Sequence, residues 1–160
     1  MELVYIGKIT SFHGIKGEIR IISDFDYIDE ALKVGNTIII DNDPHIIKTH
    51  RKHKNYEMIT IDNYTNINEV LYLKNKKVYI DRSNLDKDIL DNDLINMKII
   101  YNNEEKGIVK RVEKITLKKK IIVVEYKHKE IFVPYELIEK ISKDDNSIYI
   151  KYLEGLGLWE

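Results

Sequence analysis

The chain has no cysteine and no glutamine, a single alanine (Ala31) and two prolines. Each absence removes a class of function. Without cysteine there is no disulfide framework, no thiolate zinc site and no cysteine nucleophile, which is compatible with a reducing cytosol. A helical membrane span needs about 20 consecutive apolar residues, and no apolar run approaches that length. The opening residues MELVYIGK lack a basic flank followed by an apolar core, so no secretory signal is read there and a cytoplasmic location is expected. An excess of one charge is missing as well: 26 basic residues stand against 27 acidic ones, a net charge of -1. Bulk charge therefore does not bind this chain to nucleic acid, and any RNA contact must come from local patches.

What is present is a β-rich chain of 160 residues, 43% of them hydrophobic, enough for one medium domain or two small ones with a real core. Isoleucine, lysine, asparagine and tyrosine abound. Their codons are A/T-rich, so a lone lysine is weak evidence of binding. Ile, Val, Tyr and Thr dominate short runs bounded by turn residues, as half-buried strands require. Strands are predicted over 3–10, 18–23, 37–40, 46–51, 56–61 and 77–80, then over 97–101, 106–115, 121–127, 130–133 and 148–152. Gly35-Asn36, Asp41-Asn42-Asp43-Pro44, Lys54-Asn55, Asn102-Asn103 and His128-Lys129 supply turns between them. One helix is expected from Ile67 to Lys74, with Asn66 as cap and Glu69 completing a capping-box pattern. A shorter helical turn is expected before Gly35, and another after Pro134 around Leu137, Ile138 and Ile141. The Asp/Asn-rich run SNLDKDILDND at 83–93 breaks the strand rhythm and reads as a linker. The fold class expected is mainly β: two small β-barrel domains, 1–82 and 94–160, with one or two short helices.

The segment ITSFHGIKGEIRIIS places two glycines, a histidine and two charges in one connection between alternating strands. Gly14-Ile15-Lys16-Gly17 fits the GXXG spacing that clamps a nucleic-acid backbone, but that loop joins helices and this one joins strands. It is not a Walker motif. The simpler reading, and the favoured one, is a tight turn whose glycines supply positive φ. His45, His50 and His53 lie among Lys48, Arg51, Lys52 and Lys54; the surrounding cations oppose a metal, and a basic hairpin tip is expected instead. The Asp41–Asp43 and Asp86–Asp93 groups lack the glycine and glutamate of a calcium loop. No nucleophile elbow is present, and no catalytic centre or cofactor is expected. From Lys106 to Lys120 there are seven basic residues and one acid. Lys118, Lys119 and Lys120 at a hairpin tip are either a phosphate-facing patch or a solvated loop, and both readings stand.

Taken in order, these pieces resemble the ribosome maturation factor RimM family. IGKITSFHGIKGEIRIISDFD is similar to that family's N-terminal signature, with His13, Gly14, Ile15, Gly17 and Glu18 as the matching turn. NEVLYLKNKKVYIDRSNL, DLINMKIIYNNEEKGIVKRV and IFVPYELIEKISKDDNSIYIKYLEGL are similar to its inter-domain segment and its C-terminal PRC-barrel. The resemblance implies a non-enzymatic, monomeric assembly factor, without a membrane partner, that binds the immature small ribosomal subunit. It implies help in maturing the 3′ (head) domain of 16S ribosomal RNA, together with the nineteenth small-subunit ribosomal protein. Lys16, Arg20, Lys118, Lys119 and Lys120 are the candidate rRNA contacts. Ile89 and Leu90 stand where the family carries an aromatic pair linked to partner binding, and Asn96 stands in place of a family glycine. Leu153-Glu154-Gly155-Leu156 replaces Pro-Glu-Gly-Leu. A general RNA-binding β-barrel acting in translation is the alternative, and a hydrolase with scattered catalytic residues is the weakest reading.

Overall fold

The alternation of Ile19 and Ile21 with Glu18 and Arg20 sends two isoleucines into a core and two charges out of it. A computed structural model describes all residues 1–160, which divide into two units, Met1–Asp86 and Lys87–Glu160.

In the first unit six strands close a barrel in the order β1-β2-β5-β4-β3-β6. They are β1 (Leu3–His13), β2 (Glu18–Ile22), β3 (Thr37–Ile40), β4 (Asp43–His53), β5 (Tyr56–Ile61) and β6 (Lys77–Asp81). Register shifts interrupt β1 against β2 between Ile9 and Ser11, β1 against β6 between Tyr5 and Gly7, and β4 against β5 between Ile47 and Thr49. Such bulges bend and twist a strand, which lets a six-stranded sheet close on itself. Ile6, Ile9, Ile19, Ile21, Ile38, Ile40, Ile47, Ile59 and Ile61 are fully buried in this unit. Two short helices, α1 (Ile28–Ala31) and α2 (Ile67–Val70), add Ile28, Ala31 and Val70 to the buried set. A 3₁₀ turn over Leu71–Leu73 continues α2, so the helical segment expected after Asn66 is present. Its cap differs slightly from a capping box. The Asn66 side chain accepts from the Asn68 N–H, whereas Glu69 accepts from the N–H of Thr65.

The second unit is a six-stranded sheet in the order β10-β9-β8-β7-β12-β11, with β12 and β7 parallel and every other pair antiparallel. Its strands are β7 (Lys98–Tyr101), β8 (Glu104–Lys114), β9 (Lys120–Tyr126), β10 (Lys129–Pro134), β11 (Ile138–Ser142) and β12 (Ser147–Ile150). The mainly β class thus holds in both halves. The first closes as a barrel by hydrogen bonds, while the second keeps β10 and β11 as its two edges. One face buries Leu94, Met97, Ile99, Tyr101, Val109, Ile122, Val124, Val133, Ile148 and Ile150. The C-terminal residues Leu156, Leu158 and Trp159 pack against that core, and the Tyr101 hydroxyl donates to the Leu153 carbonyl at 3.0 Å.

Turn chemistry explains most of the connections. Asp41-Asn42 and Asn102-Asn103 carry positive φ at both central positions, the geometry of a two-residue hairpin turn that Asn and Asp tolerate. Lys127-His128 adopts it as well, one residue before the turn read at His128-Lys129. Asn96 has φ 71, which is the backbone reason that an asparagine can stand in for a glycine there. After Pro134 the expected helical turn exists over Tyr135–Leu137, but it gives way to β11, a strand not anticipated from the sequence. A register shift between Ile138 and Lys140 breaks its alternation, so the segment shows no period of two.

Candidate nucleic-acid interface

Residues 14–17 form a four-residue connection between His13 and Glu18, the last register pair of β1 and β2. Gly14 and Gly17 have φ +76 and +79, and the Gly17 N–H donates to the Gly14 carbonyl at 3.2 Å. The turn lies against the start of α2, where the Ile67 N–H donates to the Ile15 carbonyl at 2.8 Å. A Cβ on Gly17 would come within 2.9 Å of Ile67 Cα, whereas one on Gly14 would meet open space. Gly17 therefore lets the turn dock. Ile15 is 84% exposed at its apex beside the exposed Lys16.

Beyond the turn, strand pairing assembles a polar outer face that no local motif announces. Arg20 pairs across to Met58, Met58 to Arg51, and Tyr56 to His53, so β2, β5 and β4 bring two guanidiniums, a phenol and an imidazole together. His13 joins from β1, its ring 6.3 Å from that of His53. Arg20 lies over the Tyr56 ring at 5.1 Å and donates from Nη1 to Ser11 Oγ at 3.3 Å. Its Nε is buried without a hydrogen-bond partner. Glu18 receives Arg51 in a two-pronged pair, Nε to Oε2 at 2.9 Å and Nη2 to Oε1 at 2.7 Å. The Arg51 hydrogen bond holds the Glu18 carboxyl below its ordinary value; partial burial opposes this, and the charges of Arg51, His13 and His53 reinforce it. Glu18 thus stays ionised and fixes Arg51. With Lys16 and Lys54 at the two adjoining turns, cations outnumber the single carboxylate. Cations beside exposed ring faces are the means by which proteins hold phosphates and stack unpaired bases.

The three histidines of 45–53 do not form one tip. His45 is buried and its Nδ1 lies 2.6 Å from Asp62 Oδ2. His50 bonds Glu57 at 2.8 Å on the face of β4 opposite Arg51. Only His53 reaches the outer face. Asp29, His50 and Glu57 gather within 4.8 Å of one another, and the Lys52 ammonium stands 3.4 Å from Asp29 and 3.8 Å from Glu57. A lysine thus supplies the cation beside these carboxylates.

In the second unit, Leu90 is 6% exposed, and its N–H donates to Asp93 Oδ2 at 2.8 Å. Ile89 is half-buried against the core of the second unit, so of the two only Ile89 has appreciable free surface. Lys120 is held by both oxygens of Asp91 at 2.9 and 3.0 Å and lies 4.1 Å from the Tyr135 ring. Its charge anchors the foot of the β8–β9 hairpin. Lys118 and Lys119 are exposed at the tip. Arg51, His53 and Tyr56 were missed as site residues by sequence reasoning. The local signal for Arg51 and His53 is the basic run read as a hairpin tip; the convergence of all three on Arg20 depends on strand register.

The N-terminal domain model of the RimM family matches residues 4–85. A protein of Bacillus thuringiensis named ribosome maturation factor RimM is 28% identical over 94% of this chain and 96% of its own length. One of the same name from Bacillus cytotoxicus is 27% identical over the same shares. A solution structure of the N-terminal domain of RimM from Thermus thermophilus aligns with 54% of this chain and 98% of its own, at 16% identity and a TM-score of 0.46. The signature turn, the barrel that carries it and the match across residues 4–85 lead to one conclusion: this chain belongs to the RimM family.

Proposed function

We propose that this chain is a non-enzymatic, cytoplasmic ribosome maturation factor that binds the immature small subunit and assists maturation of the 3′ (head) domain of 16S rRNA. The observation that carries the reading is family membership, joined to relatives named for ribosome maturation that span nearly the whole chain. The outer face of the first unit supports it: Lys16, Arg20, Arg51 and Lys54 meet phosphates, while Tyr56 and the His13–His53 pair offer ring surfaces to unpaired bases. In the second unit Lys118 and Lys119 are further rRNA contacts, and Lys120 braces their hairpin. The nineteenth small-subunit ribosomal protein is the protein partner, and Ile89 is its contact nearest the start of that unit. A net charge of -1 suits a factor that must leave a finished particle, because local contacts release more readily than a uniformly basic surface. Sedimentation of the tagged chain in lysate tests the reading. Co-migration with free small subunits and absence from mature ribosomes is the expected result; association with mature ribosomes or other RNAs would favour a general RNA-binding role.

A further inference from the structure

The most exposed large apolar side chain is Leu117, at 97%, on the tip of the β8–β9 hairpin. The last strand pair is Lys114 with Lys120, and residues 115–119 close the loop. This tip overhangs both neighbouring strands. The pairing of β7 with β8 ends at Lys98 and Ile108, and that of β10 with β9 ends at Pro134 and Ile121. The loop is nonetheless ordered: the Ile115 N–H donates to the Lys119 carbonyl at 2.8 Å, and Thr116 Oγ1 accepts from the N–H groups of Lys118 and Lys119 at 3.3 and 3.2 Å. Lys120 ties the foot of the arm to Asp91. A braced arm therefore presents one leucine to solvent, with Ile115, 57% exposed, beside it and two exposed lysines following.

Resting on the ribosomal reading above, we propose that the 115–119 tip is an RNA-probing wedge. Leu117 inserts between bases of an unpaired segment, while Lys118 and Lys119 hold the flanking phosphates. Apolar wedges set among cations are how proteins part stacked bases, the charges offsetting the repulsion of phosphates drawn together. The charge pattern favours RNA over a protein groove, because no acid lies anywhere from Lys114 to Lys120. The hydrogen-bonded turn keeps the leucine in place before contact, which lowers the ordering cost of insertion.

The test uses the full chain and a short RNA hairpin with 2-aminopurine in its unpaired loop, beside a fully paired duplex of the same composition. The wild type is expected to prefer the looped RNA and to raise the fluorescence as the base unstacks. Leu117→Ser should weaken loop binding about tenfold, the size expected for one buried leucine. It should abolish the fluorescence rise and leave the salt dependence unchanged. Lys118→Gln with Lys119→Gln should reduce the slope of log affinity against log salt by about 1.4, as for two single-strand phosphate contacts. Unchanged affinity and fluorescence in Leu117→Ser overturns the wedge. So does a wild type that ignores the RNA yet co-sediments with small subunits, a result that leaves the ribosomal reading standing. Loop binding with the expected leucine dependence but no co-sedimentation supports the wedge and removes the ribosomal reading.

Discussion

Gly14 and Gly17 share a positive φ and differ in what surrounds them, so the same substitution has two outcomes. Alanine at Gly14 meets only the backbone penalty, about 1 kcal/mol. Alanine at Gly17 adds a contact of 2.9 Å to backbone at the start of α2, and the combined cost should reach about 3 kcal/mol or more. Denaturant unfolding of the two variants checks the order; equal losses would mean the turn is not docked as described. Glu18 gives a pH signature. Its carboxyl is held below its ordinary value in the folded chain, chiefly by the Arg51 hydrogen bond. Its contribution is therefore present above the unfolded value and is lost as pH falls through the folded one. Glu18→Gln should lower stability modestly at neutral pH and flatten part of the acid limb, the difference from the wild type closing as pH falls through the folded value. Thermal melts from pH 7 down to about 3 would show it.

At the scale of elements, the Asp91–Leu94 turn separates the roles of two adjacent side chains. Leu90 is nearly sealed from solvent and Leu94 completely so, whereas Ile89 keeps part of its surface. Leu90→Ala should cost about 2–4 kcal/mol, as core truncations do. Ile89→Ser should cost clearly less, and any loss of affinity for the proposed ribosomal-protein partner should appear in that variant. Calorimetry of both, followed by binding at a temperature where both are folded, distinguishes core from contact. The β8–β9 hairpin divides its lysines in the same way: Lys120 serves the scaffold and Lys118 and Lys119 its surface.

On the scale of the molecule, the chain divides after Asp86, within the run read as a linker. That run is not uniform. Arg82–Asn84 forms a 3₁₀ turn, Leu85 is buried and Asp91–Leu94 forms another turn, which leaves Asp86, Lys87 and Asp88 as its exposed centre. Brief trypsin treatment should cut first after Lys87 and release two fragments that resist further digestion. Early cleavage inside either sheet would count against separately folding units.

Runs of Ile, Val, Tyr and Thr bounded by turn residues make every strand but β11 legible along the chain, because strand formation and tight turns are local and each residue's own chemistry carries the signal. The helical turn after Asn66 is legible for the same reason. The β11 strand is not, since a register shift erases its alternation. Nor is the extent of β4, which starts at Asp43 and runs through Pro44, at a position predicted as turn. The signature turn is legible as a motif, but which of its glycines is tightly packed depends on α2, some fifty residues away in sequence. Above all, Arg20, Arg51, His53 and Tyr56 come from three strands and meet only through register. Local chemistry along the chain thus settles that it is β-rich, where its principal turns fall and which family it resembles. Closure of the first sheet, the open edges of the second, and the division between cations that face solvent and cations that brace the fold are set at the tertiary level, because each rests on pairing between residues far apart along the chain.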